Sequence, residues 1–110
     1  MPNTFLRKTS RNVGTSAATV GSYTVGSSTQ TTIIGLTCAN TTTSAITVDV
    51  QHNDGSNDTF LVKAATVPAG ASIVIVGGDQ KVVLQTGDSI KVTSSAASSV
   101  DVMMSILEIT

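Results

Sequence analysis

Apolar and polar residues alternate one by one along several short segments of this chain. The clearest segment runs from Ile46 to Gln51, where Ile46, Val48 and Val50 share one parity and polar residues stand between them. A period of two places every second side chain on the same face of a β-strand. The sequence therefore predicts that Val48 and Val50 lie in a core, while Thr47 and Asp49 are more exposed.

The chain from residue 18 onward carries the same β signal. Val, Ile and Thr, whose branched side chains suit a pleated strand, make up 40 of the 110 residues. On one strand Ile34, Leu36 and Cys38 are predicted to face inward. Ser72 to Val76 is apolar at both parities, which is typical of a central strand covered on both faces.

The last apolar run changes phase near its end. Val100, Val102, Met104 and Ile106 share one parity, and then Leu107 and Ile109 take the other. Such a change indicates a β-bulge or a strand that changes partner.

Turn residues separate the predicted strands at intervals of roughly 8–12 residues. They lie at 53–57, at Pro68-Ala69-Gly70, at Gly77-Gly78-Asp79 and at 86–88. About seven or eight short strands with such spacing predict an all-β fold, a single antiparallel β-sandwich over residues 18–110. Its strand order is expected to be jelly-roll-like or immunoglobulin-like.

Residues 1–17 differ from the rest and are predicted to form a short N-terminal arm. They hold three of the six basic residues, and their few apolar residues follow no regular period. Such an arm contributes little to the stability of the sandwich and is either a solvated tail or draped over a neighbour. If it binds a partner, the expected contact residues are Phe5, Leu6, Arg7, Lys8 and Arg11.

The composition argues against most chemistry. The chain has one Cys and one His, which excludes an internal disulfide and an ordinary structural zinc site. His52 lies near Asp49, Asp54 and Asp58, which straddle a predicted turn, but Asp54 to Asp58 lacks the terminal glutamate of a calcium loop. Cys38 is expected to be a buried small hydrophobe. We therefore predict no enzyme, no metal and no cofactor.

Charge and aromatic content also limit the partners. A net charge of −1 favours neither nucleic acid nor an anionic membrane as a partner. The chain has no Trp and a single Tyr, Tyr23, which disfavours a carbohydrate-binding module. Outward strand positions are mostly Thr, Ser, Gln and Ala, so the surface presents little repulsion to another protein. This favours a subunit of an oligomer or lattice over a free enzyme.

Several segments carry a resemblance to a known group of proteins. They are Ile33-Ile34-Gly35-Leu36, Val67-Pro68-Ala69-Gly70, the run from Thr86 to Val92 and the closing Ser105-Ile106-Leu107-Glu108-Ile109. In this order they resemble small all-β virion proteins of tailed bacteriophages, notably phages of marine bacteria and cyanobacteria.

The resemblance implies a non-enzymatic structural part of a virion, assembled in the host cytoplasm. The first expectation is a capsid decoration (cement) protein that binds the major capsid protein, with self-association as a homo-oligomer. The alternative is a tail, neck or baseplate component assembled as a ring. A carbohydrate-binding module on a fibre is a third possibility.

Overall fold

The computed structural model describes residues 3–77 and 81–110. Within these ranges the chain forms nine strands and one 3₁₀ turn, Val20–Ser22. The strands are β1 (Asn3–Val13), β2 (Ala18–Thr19), β3 (Gln30–Asn40), β4 (Ile46–Asn53), β5 (Asp58–Val67), β6 (Ser72–Val76), β7 (Val82–Leu84), β8 (Ser89–Ser94) and β9 (Val100–Ile109). No helix in these two ranges is long and apolar enough to cross a membrane.

The strands form two antiparallel sheets, which confirms the predicted all-β sandwich. One sheet has the order β1-β9-β3-β6, with β7 also paired to β3, and the other has the order β2-β8-β4-β5. The first and last strands are neighbours, and β1 and β2 lie in different sheets. In the immunoglobulin arrangement the first two strands share a sheet, so the order observed here is that of a jelly roll.

The core lies between the two sheets and is built from alternate residues of their central strands. Val48 and Val50 are buried and Thr47 and Asp49 are only partly covered, as the alternation predicts. Leu36 and Cys38 are also buried, as predicted. From the five-stranded sheet the fully buried side chains include Ile33, Leu36, Met104 and Ile106.

Two inferences about side-chain direction were wrong. Ile34 is exposed and Ile33 is buried in its place, because β3 inserts one extra residue between its pairs with Ile106 and Ser105. Strand β9 pairs with β1 without a break from Val102 to Ile109, so the bulge predicted at its phase change is absent, and Leu107 lies on the outward side opposite Phe5. Strand β6 is not a covered central strand, since it ends the sheet and leaves Val74 65% exposed.

The turns occur where the sequence places them. Gly55 and Gly87 have φ of +96° and +90°, values that glycine adopts without a steric penalty. Ala71 donates its backbone N–H to the carbonyl of Pro68 at 3.1 Å, which closes the turn between β5 and β6. The predicted turn at Gly77-Gly78-Asp79 falls mostly outside the described residues.

The N-terminal segment is not separate from the sheet. Residues 3–13 pair with β9 from Asn3↔Ile109 to Val13↔Val100, so most of the predicted arm is an edge strand. Val13 is buried and Leu6 packs against the core, while most other side chains of β1 are exposed or half-covered. This is why the segment lacks an apolar period. Whether residues 18–110 fold without it stays a prediction.

Candidate functional site

The most unusual surface of the molecule is the outward side of the five-stranded sheet, called here the outer face. Among the described residues six large apolar side chains are exposed, and five of them lie on this face. They come from five different strands: Phe5, Ile34, Val74, Val83 and Met103. Contiguous exposed apolar surface of this kind marks a site of interaction with another molecule.

Strand register gathers four of these residues into two rows that cross the sheet, and Ile34 is the extra residue of β3 between the pairs with Ile106 and Ser105. Directly paired residues of antiparallel strands point to the same face. The first row is Phe5, Leu107, Thr32 and Val83, and the second is Thr9, Met103, Thr37 and Val74. Between the rows lie Gly35 and Ser105, which are small and leave a shallow trough.

Charge on the outer face is sparse and lies along the edge strand β1 and at the start of β9. Arg7 and Arg11 are exposed on this edge strand. Asp101 accepts a hydrogen bond from the backbone N–H of Asn12 at 3.1 Å. Arg11, Asp101 and Met103 line a groove of about 290 Å³. The centre of the face is therefore uncharged, and its basic groups lie on the edge strand.

The five residues predicted to bind a partner do not share one face. Phe5, Arg7 and Arg11 are exposed on β1, whereas Leu6 packs against the core. The Lys8 ammonium lies 5.0 Å from the centroid of the Tyr23 ring, so this side chain points toward the 3₁₀ turn. Strand alternation separates Leu6 and Lys8 from the outer face.

Val74, Val83 and Met103 were missed as candidate interaction residues. Their signal was present in the sequence, because β6 is apolar at both parities and β9 carries apolar residues on two phases. A second apolar parity fits either a covered strand or an exposed binding face. Only the sheet order distinguishes the two.

The polar clusters of the chain have structural partners. His52 Nε2 lies 2.9 Å from Asp88 Oδ2, and the same carboxylate accepts the Gln85 N–H at 2.9 Å. His52 thus pairs with an aspartate of the 86–88 turn rather than with its neighbours in sequence. Asp54 accepts the N–H groups of Ser56 and Asn57, and these bonds lower its pKa. The described residues contain no group of three or more His, Cys, Asp or Glu placed to hold a metal ion.

Tyr23 is part of a buried polar cluster that fixes the end of β9. Its hydroxyl donates to Glu108 Oε2 at 2.5 Å and lies 2.8 Å from Thr31 Oγ1. Burial, and then the bond to Glu108, raises the pKa of Tyr23 from 10.0 to about 12. Burial alone raises the pKa of Cys38 from 9.0 to about 11.

These two raised pKa values predict loss of stability at alkaline pH. A group that binds its proton more tightly when folded stabilises the fold below its unfolded pKa, and this contribution disappears as pH rises toward the folded value. We expect the urea midpoint to fall between about pH 9 and about pH 12. Tyr23→Phe should show a smaller fall over the same range. An equal fall in both proteins would contradict the role of Tyr23.

Cys38 is predicted to be unreactive in the native protein. Its side chain is fully buried, and thiol reagents attack the thiolate, which the raised pKa disfavours. An aromatic disulfide reagent at pH 8 should titrate no thiol in native protein and one thiol per chain in urea. Rapid labelling without denaturant would contradict this placement of Cys38.

Comparisons with known proteins show the fold but no family. No family model matches the chain, and no curated protein matches it. Among solved structures, a subunit of Bacillus endospore appendages, described as disulfide-linked pili, aligns over 100% of this chain and 91% of its own, with 16% identity and a TM-score of 0.53. A chain of the virus-like particle of the Macrobrachium rosenbergii (giant freshwater prawn) extra small virus aligns over 97% and 77%, with 20% identity and a TM-score of 0.43. The first likeness shows that the chain shares the fold of a pilus-forming protein.

Proposed function

We propose that this chain is a non-enzymatic structural subunit of a bacteriophage virion, and specifically a decoration protein that binds the assembled capsid shell. The observation that carries the structural role is the apolar outer face. The assignment to a virion, and to its shell, rests on the sequence resemblance to small all-β phage proteins.

The outer face has the composition of a protein-binding surface. Its centre lacks charge, and its basic residues, Arg7 and Arg11, lie at the rim. Interfaces are depleted of charge in their buried centre and polar at the edge. The described part of the chain shares its fold with a protein that forms pili, so this architecture is compatible with assembly.

Two of the described polar pairs hold the fold. Asp88 ties His52 to the 86–88 turn, and Asp49 accepts the backbone N–H of Ala64 at 2.7 Å. Ala64 has φ of +55°, so this bond stabilises an irregular backbone conformation. The contacts His52–Asp88 and Asp49–Ala64 therefore have a structural role.

The proposal is tested by locating and counting the chain in purified virions. A copy number comparable with that of the major shell protein is the result expected for a decoration protein. A copy number equal to that of a single ring would assign the chain to the neck or tail instead. Absence of the chain from intact particles would overturn the virion role.

Binding to shells should depend on the outer face. Shells that lack the chain are mixed with wild type, with Val74→Arg, or with Phe60→Arg as a matched control. Phe60 is also an exposed apolar residue, but it lies on β5 of the other sheet. Wild type and Phe60→Arg should bind, whereas Val74→Arg should not. Equal binding by all three would place the contact elsewhere.

A further inference from the structure

We infer that the outer face binds a second copy of this chain, in a two-fold dimer whose axis runs along the strands between β3 and β9. This inference rests on the proposed structural role: the outer face joins two copies, and the shell is bound by the paired unit, so a variant that breaks the pair also loses the shell. Three properties of the face support it: its area, its pattern of side-chain sizes and its distribution of charge.

The area is sufficient for a stable dimer. Four strand positions about 4.8 Å apart, each some ten residues long at about 3.3 Å per residue, give a face of about 600 Å². Two such faces bury about 1,200 Å² in total, which is the lower limit for specific protein interfaces. A small ligand would leave most of this surface exposed.

The two apolar rows are self-complementary under this axis. A two-fold rotation along the strands places β1 of one copy over β6 and β7 of the other. The large Phe5 at one end of its row then faces the smaller Val83 at the other end. In the second row Val74 faces the small Thr9. Each contact occurs twice, as an isologous interface requires.

Charge selects this axis over the alternative one. An axis across the strands would stack β1 on β1 and bring the arginines of the two copies together. An axis along the strands places the two β1 strands at opposite edges, three strand spacings or about 14 Å apart. This exceeds the Debye length of about 8 Å at physiological salt, so Arg7 and Arg11 of the two copies do not repel appreciably.

The first test is the mass of the protein in solution, measured by light scattering over a range of concentrations. Wild type and Phe60→Arg should form dimers. Met103→Arg should weaken the dimer by about a hundredfold or more, since it buries an unpaired charge near the centre of the interface. Val74→Arg should also weaken it, since the charge on the end strand β6 then faces Thr9 of the other copy. Thermal melting checks that the variants remain folded. A wild type that stays monomeric at every concentration would overturn the inference.

The second test fixes the axis by thiol cross-linking. Sheets packed face to face lie about 10 Å apart, and Phe5 and Val83 lie about 14 Å apart within one chain, so neither pair of Cα atoms is close enough for a direct disulfide. With a bis-maleimide whose spacer is about 8 Å, which spans the gap between packed faces but not the distance within one chain, the double variant Phe5→Cys, Val83→Cys should give a covalent dimer. Phe5→Cys alone should not, because the two copies of this residue lie at opposite edges. Cross-linking by Phe5→Cys alone, or none by the double variant, would contradict the proposed axis.

Failure of this inference can be distinguished from failure of the proposed function. If wild type is monomeric, yet Val74→Arg abolishes shell binding and Phe60→Arg does not, the face binds another chain and only the dimer is wrong. If wild type is a dimer of the expected geometry but is absent from virions, the dimer stands and the virion role is wrong.

Discussion

Val48→Asp is expected to reduce the free energy of unfolding by about 4 kcal/mol or more, a large share of the stability of the domain. Val48 is 1% exposed on β4, between strands β5 and β8. Its opposite pairs are Ala65 and Ser94, and neither can neutralise a carboxylate. Domains of this size are stable by only about 5–15 kcal/mol, so the loss should be visible in urea and in thermal melting.

Thr47→Asp is the matched control for this prediction. The residue is next to Val48 on the same strand but points to the other side and is only half-buried. The same carboxylate placed there should cost about 1 kcal/mol or less. If Val48→Asp melts at the wild-type temperature, the assignment of the two faces of β4 is incorrect.

Removal of β1 is the second change with a large expected effect. A chain that starts at Gly14 loses the buried Val13, the half-buried Leu6 and the ladder that covers one edge of β9. Loss of these two apolar contacts alone corresponds to about 3 kcal/mol. Newly exposed strand edge should also make the shortened protein prone to aggregation.

The urea midpoint of the shortened chain measures this effect, with Phe5→Ala in the full chain as a control. Phe5 is 74% exposed, so its truncation should leave the midpoint of unfolding nearly unchanged. A wild-type midpoint for the shortened chain would show that residues 1–13, most of the predicted 1–17 arm, are dispensable, as their irregular pattern predicts.

The strands whose one face is buried could be predicted from the sequence. In β4 the alternation of Ile46, Val48 and Val50 with polar residues is uninterrupted, because β8 pairs with it without a break and the irregularities in its pairing with β5 insert extra residues in β5. The two-sheet architecture follows from the number of such strands and the turns between them. These features depend on local pattern, which the sequence carries directly.

Features that depend on the partner strand could not be predicted in the same way. The exposure of Ile34 results from a bulge whose position is set by pairing of β3 with β9. The exposure of Val74 results from the place of β6 at the end of the sheet. Sheet order is a property of the whole chain, so an apolar strand has the same local pattern at the centre of a sheet and at its edge.

The candidate site was predictable only in part for the same reason. Phe5 and Arg7 were identified because apolar and basic residues are prominent in the otherwise polar first segment. Met103, Val83 and Val74 are unremarkable in sequence, since each belongs to a run of apolar residues. Pairing across β9, β3, β6 and β7 is what brings them onto one surface with Phe5.

The central claim is that the outer face is covered when the protein is assembled, and cysteine labelling tests it most directly. Val74→Cys and Phe60→Cys each place one accessible thiol on the protein, on opposite sheets, while the buried Cys38 should stay silent. Assemblies that contain each variant are isolated under native conditions from the cells that produce them. The variant is labelled with a maleimide first within the intact assembly and then after the assembly has been dissociated. The account predicts that assembly slows labelling at position 74 by about tenfold or more, as expected for a buried interface residue, and leaves position 60 unchanged. Equal labelling rates at position 74 before and after dissociation would contradict it.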